Sequence, residues 1–351
     1  MREIVIVIRD LFLQPGSGPG EGASPGAPGL EYVARFGDKT RLPKGWRAWT
    51  AQWLGLPQYA DAAPASIAAA ALEAAALEDA AASGAVWLAT PVHLIAGLTS
   101  LHFDRRSILR LPDAELARLA ASFGETFRGS GFDLRPLGGG ELLLSGPQVP
   151  ALATTTEPAR MLLTSVAESL PMGEGSRGLR RLSAEIEMWL HGHPINDELA
   201  RRGALTVATL WLWGGGAPLA VAAAADPRTP TEDLAFASDP FLRGLSRLAG
   251  AETRPMPVDW TAVIGEPRAQ RALGVMEVAE LLQADGSWRL ADAVADIDRR
   301  VISPLLAAVR RGELQRLVLL ANDRQFSLRA ADRWRLWRRL KTVPRGLECL
   351  A

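Results

Sequence analysis

The sequence predicts an α/β protein built on a mainly parallel sheet with helices on both faces. Three observations carry that expectation. Ile4–Ile8 is an unbroken β-branched run, the pattern of a strand buried on both faces. Comparable apolar runs recur at Val86–Ala89, Leu142–Leu144, Val207–Trp213 and Leu317–Ala321. Helical periodicity fills much of the chain between them.

In chain order, the first strand ends at Arg9-Asp10 and is followed by Gln14–Gly29, too rich in Gly and Pro for regular structure. Ala62–Ala82 reads as a helix because alanine is the best helix former. Thr90, Pro91 and His93 trail the second strand. Asp113–Phe127, Arg160–Ser169 and Leu179–Leu190 carry apolar residues at helical spacing, and Pro194 closes the last of these. Val207–Trp213 ends in Gly214, Gly215 and Gly216, and Pro218–Asp233 is a second loop. Helices are expected at Pro240–Leu248, Ala291–Arg311 and Ala330–Leu340. Residues 103–187 mix helices, glycines and a short apolar strand pair, which suggests an inserted α+β subdomain. The core is then 1–102 with 188–351.

Composition excludes several function classes. Lys+Arg and Asp+Glu are both 39 in 351 residues, so no basic excess exists to neutralise a nucleic-acid backbone. The one basic stretch, Arg324–Arg345, puts Trp334, Leu336, Trp337 and Leu340 near one helical face. It reads as a docked helix with a solvated basic face, and alternatively as a partner-binding surface. The single cysteine, Cys349, excludes an intramolecular disulfide and a thiolate metal cluster. The N-terminal apolar run is too short for a signal peptide, and charges at Glu73, Glu78 and Asp79 interrupt the alanine-rich segment. A cytoplasmic protein without a membrane partner is expected.

The candidate chemical groups cluster after strands, where α/β folds place their sites. Asp10 suits a metal or a phosphate site, and equally a loop-ordering carboxylate. Thr90 is a hydroxyl that needs an activating base, for which His93 is the nearby candidate. His191 and His193 stand two apart, which disfavours a shared metal on a helix. Asn196 serves either the turn backbone or a ligand. Gly214–Gly216 permit close backbone approach to a phosphate or sugar but lack the spacing of a nucleotide-binding loop. Trp211 and Trp213 share one strand face, for core packing or for ligand stacking.

The run His193–Asp197 (HPIND), then Arg201–Gly203, then Val207–Gly216 (VATLWLWGGG) resembles the archaeal-type cofactor-independent phosphoglycerate mutases of the alkaline phosphatase superfamily. Glu3–Asp10, Ser169–Gly173 (SLPMG), Asp239–Gly250 (DPFLRGLSRLAG), Val294–Leu306 and Leu317–Asp323 resemble further segments of that family in order. The bacterial RpfE-type regulatory proteins, divergent relatives of these mutases, are a closer match. The resemblance implies an alkaline phosphatase-like fold and a two-metal phosphoryl transfer, with Asp10 and Asp323 as metal ligands and Thr90 nearest the nucleophile position. It also implies a ligand site of Asp10, His193, Asn196, Gly214, Gly215, Gly216 and Arg243.

The chain departs from that pattern where the chemistry lies. All four histidines stand at 93, 102, 191 and 193, so nothing after His193 supplies an imidazole. Asn322-Asp323-Arg324 replaces the Asp-His after the last strand, and Ala284–Trp288 reads ADGSW where a further metal motif belongs. The expectation is therefore a mutase-like protein without the dinuclear centre, acting by binding a small phosphorylated ligand or a protein partner. No cofactor is expected, and an oxygen-only divalent site stays open. The rival reading is an active mutase or phosphohydrolase in which Asp10, Thr90, His93, Asp239 and Asp323 converge.

Overall fold

The computed structural model describes residues 1–9, 11, 26–72, 79–80, 84–97, 101–102, 107–147, 153–161, 166–219, 232–236, 238–267, 269–278, 290–321 and 324–334. Two compact units form: Met1–Asp61 with Arg228–Ser238 and Ala249–Ala351, and Ala62–Pro227 with Asp239–Leu248. This division differs from the boundaries at 103 and 187 that the sequence suggested.

Among the described residues, the first unit holds seven strands: β1 (Glu3–Arg9), β2 (Asp38–Arg41), β9 (Asp233–Phe236), β10 (Glu252–Arg254), β11 (Arg271–Glu277), β12 (Arg316–Ala321) and β13 (Arg324–Arg329). Their order is β10-β9-β11-β1-β12-β13-β2. The first five run parallel, and β13 and β2 join antiparallel. Central β1 explains its composition. Ile4, Ile6 and Ile8 enter a core with Leu30, Val33, Ile297 and Leu305, while Val5 and Val7 on the opposite face are also buried.

The expected helix at Ala291–Arg311 occupies Leu290–Arg311 but contains a π turn at Asp298–Ile302. Pro304 has no amide to donate, so the regular hydrogen-bond ladder cannot run through that turn. The turn holds the buried Asp298 carboxylate against the start of the Pro28–Phe36 helix. Oδ1 accepts from Leu30 N at 2.6 Å and Oδ2 from Gly29 N at 3.1 Å. A negative charge there meets the unpaired amides and the positive end of the helix dipole. Gly29 is required, because a Cβ would lie 2.8 Å from Asp298 Oδ1. The Gly/Pro-rich segment therefore ends in a helix by Pro28, and its residues 14–25 lie outside the described residues.

In the second unit, β3 (Ala85–Val92), β6 (Asp133–Gly138), β7 (Glu141–Gly146) and β8 (Thr209–Gly216) form an antiparallel sheet of order β6-β7-β3-β8. Strands β4 (Ile95–Ala96) and β5 (Leu101–His102) form a small separate pair. This corrects the expectation that Val86–Ala89 and Val207–Trp213 belong to the mainly parallel sheet. Both runs are buried strands, but burial sets no strand direction, and the mutual pairing of β3 and β8 decides it. Helices Asp113–Thr126 and Ser176–His191 share a core with this sheet, through Leu116, Leu119, Phe123, Ile186 and Leu190 against Trp87, Leu142, Leu144 and Leu212.

Three helical expectations are corrected. Ala62–Ala82 is α-helical at Pro64–Ala69, turns at Ala70–Ala71 and is helical again at Asp79–Ala80, while residues 73–78 and 81–83 lie outside the described residues. Arg160–Ser169 gives short 3₁₀ turns at Pro158–Met161 and Val166–Ser169. Ala330–Trp334 is likewise a 3₁₀ turn. Trp334 is 66% exposed, whereas Leu336, Trp337, Leu340 and Cys349 lie outside the described residues. No helix among the described residues is long and apolar enough to cross a membrane.

Candidate functional site

Thr90 sits within β3, not in a loop after it. Its hydroxyl donates to Glu141 Oε2 at 2.7 Å and accepts from Trp213 Nε1 at 2.8 Å. Arg110 Nη1 donates to Glu141 Oε1 at 2.9 Å. A hydroxyl on a carboxylate has the geometry of an activated nucleophile. Here, however, Thr90 is 1% exposed and Glu141 is held by a guanidinium, so the group works as an internal cross-brace of β3, β7 and β8. Glu141 and Arg110 escaped sequence reasoning because nothing in the spacing links them to Thr90. His93 is directed elsewhere, with Nδ1 2.9 Å from Thr206 O.

The HPIND residues build a turn. His193 precedes the Pro194–Arg201 helix, and its Nδ1 accepts from Ile195 N at 3.1 Å as an N-cap. Pro194 follows at the first helical position, where a missing amide costs nothing. Trp189 packs edge-on against the imidazole at 5.2 Å. Burial, reinforced by the Arg118 guanidinium, holds the His193 pKa below the ordinary histidine value, which keeps Nδ1 free to accept. Asn196 Nδ2 donates to Leu190 O at 2.8 Å and Val207 O at 2.9 Å, while Oδ1 accepts from Val207 N at 2.8 Å. One amide thereby joins the end of the Ser176–His191 helix to the chain entering β8. His191 is exposed at the end of that helix.

The three glycines are packing positions. Between Val86↔Gly216 and Leu88↔Trp213 the β3–β8 register shifts, so Gly214 and Gly215 bulge opposite Trp87 alone. Gly214 adopts φ +63° and donates its amide to Thr155 Oγ1 at 3.0 Å. A Cβ on Gly215 would penetrate the Trp87 indole, and one on Gly216 would meet Ala63 Cβ and lie 2.5 Å from Ser66 Oγ. Trp211 directs Nε1 to Thr156 O at 2.9 Å. Arg243 donates Nη1 to Leu137 O at 2.5 Å, and Asp239 Oδ1 accepts from Leu242 N at 3.0 Å at the start of the Pro240–Ala249 helix.

At the carboxyl end of the parallel sheet, β1 and β11 close on an ion pair between the half-buried Arg9 Nη2 and the buried Glu277 Oε1 at 3.2 Å. Sequence reasoning missed Glu277, although a carboxylate at a strand's carboxyl end was a readable signal. The two metal candidates, Asp10 and Asp323, lie outside the described residues. Ala321 pairs with Arg324, so only Asn322 and Asp323 connect β12 to β13. Among the described residues no group of three or more His, Cys, Asp or Glu side chains is placed to hold a metal ion.

These features define an α/β protein of two compact units, one on a mainly parallel sheet, whose motif side chains mostly bind its own backbone. No family model and no curated protein matches the chain. Among solved structures it is similar to the cofactor-independent phosphoglycerate mutase from Thermoplasma acidophilum DSM 1728. That similarity is 16% identity over 93% of this chain and 89% of that chain, with a TM-score of 0.38. It is also similar to the PH0037 protein from Pyrococcus horikoshii, with 11% identity over 94% and 89% of the two chains and a TM-score of 0.47.

Proposed function

We propose that this chain is a divergent phosphoglycerate mutase-like protein of the RpfE-type group, which has lost the dinuclear metal centre and serves as a regulatory or ligand-binding protein. One observation carries the reading: among the described residues, the polar side chains behind the family resemblance are engaged within their own fold. His193 caps a helix, Asn196 staples a turn, and Arg243 holds the Leu137 carbonyl. The histidine count supports it, since no imidazole follows residue 193. Glu277, a carboxylate at the sheet's carboxyl end, is neutralised by Arg9 and makes a poor divalent ligand. A small phosphorylated molecule or a protein partner remains the expected ligand class, in the cytoplasm.

The test is metal analysis of purified protein after incubation with Mn²⁺ or Zn²⁺, together with phosphoglycerate mutase and phosphoester hydrolysis assays on the same sample. The expected result is less than stoichiometric metal and no turnover. Two tightly held divalent ions per chain with turnover would establish the rival reading, an active mutase or phosphohydrolase.

A further inference from the structure

The second unit contains a cleft of about 440 Å³ whose lining includes Trp211 but none of the other candidate residues above. Its floor is apolar and buried, formed by Val166, Pro171, Leu210 and Leu212. Leu101 and Leu170 stand at its edge, 45% and 38% exposed. We propose that this cleft binds an apolar small molecule carrying a basic amine, with the amine on Glu187 and the apolar body over β8.

Two polar groups in the lining point to a ligand. Thr209 is 2% exposed, and its Oγ1 has no hydrogen-bond partner. A buried hydroxyl left unpaired costs about 1–3 kcal/mol, which a ligand hydrogen bond would recover. Among the described residues, Glu187 is the only carboxylate lining the cleft. Glu187 is exposed to solvent on one side, and the apolar surroundings on the other push its pKa above the ordinary carboxylate value, a shift that an ammonium group would offset.

The cation in the lining is committed elsewhere. Arg180 donates from Nε at 3.0 Å and Nη2 at 2.6 Å to Pro171 O. It precedes Glu187 by two helical turns, roughly 10 Å along the axis. Ser183, between them, directs its hydroxyl to Leu179 O at 3.0 Å. An amine at Glu187 therefore meets an anion with no ion-pair partner among the described residues, whereas a carboxylate there meets repulsion. An apolar cleft with a few polar groups is the usual form of a small-molecule site. The inference is independent of the phosphorylated-ligand reading.

The test is calorimetric titration of the full chain with n-octylamine, n-octanol and octanoate, which share one tail and differ in the head. Octylamine should bind about tenfold or more tighter than octanol, the ratio expected for one charged hydrogen bond, with octanoate weakest. Glu187→Gln should bring octylamine to the level of octanol. Ala184→Trp, on the exposed helix face lining the cleft, should abolish binding of both while the melting temperature is retained. Absence of binding, equal affinity for the three heads, preference for octanoate, or undiminished binding by Ala184→Trp would each overturn the proposal.

Discussion

Replacing Asn196 by alanine separates a structural role from a ligand-binding one. The side chain makes three hydrogen bonds, to Leu190 O, Val207 O and Val207 N. Val207 is 1% exposed, so water does not readily replace the lost partner of its amide. One buried amide left unpaired costs about 1–3 kcal/mol, and the two carbonyls add less because each keeps a second lone pair. The expected loss is roughly 2–4 kcal/mol. It should appear locally as faster hydrogen exchange at the Val207 amide, by about 30-fold or more. It should appear globally as a lower melting temperature. Asn196→Asp should be no better, because it keeps the acceptor for Val207 N but puts a second oxygen against two carbonyls. Unchanged exchange at Val207 and unchanged melting in Asn196→Ala would refute the reasoning and return Asn196 to the ligand-site candidates.

Gly216→Ala should destabilise by about 1–3 kcal/mol through the clash with Ala63 and Ser66, seen in thermal melts, even though no ligand is present. The pKa of His193 is depressed in the folded protein, so the unfolded chain takes up its proton first as the pH falls. Its contribution to stability is complete above the ordinary histidine value and declines as the pH drops through that value toward the folded one. Melting temperatures taken from roughly pH 8 to pH 5 should fall less steeply in His193→Asn, which retains a capping acceptor. Asp298→Ala leaves the Gly29 and Leu30 amides without their carboxylate and should cost roughly 2–4 kcal/mol, measured by urea denaturation. Asp298→Asn should recover part of that loss.

The long apolar or strongly periodic segments were legible in the sequence. Ile4–Ile8 is the central strand, and Asp113–Phe127, Leu179–Leu190 and Pro240–Leu248 are helices within a residue or a few of expectation. What the pattern could not carry was partner choice. Val86–Ala89 and Ile4–Ile8 look alike as buried runs, yet one joins an antiparallel sheet and the other a parallel one. The residue types at the candidate positions could not distinguish a ligand contact from a backbone contact. Asn196 and Gly216 matter because the chain itself approaches closely. Glu141 and Asp298 stayed hidden because their partners are 51 and 269 residues away.

The placement of β1 between β11 and β12 also bears on how the protein is made. Strand β1 gains its neighbours only when residues 271–277 and 316–321 exist. Until then its five apolar residues have no strand on either edge, and closing so long a loop carries an entropic cost before any pairing repays it. The second unit's sheet, by contrast, is complete by Gly216. On the ribosome the second unit's sheet is thus equipped to fold before β1 is paired, and β1 waits, exposed to self-association, until β11 and β12 are made.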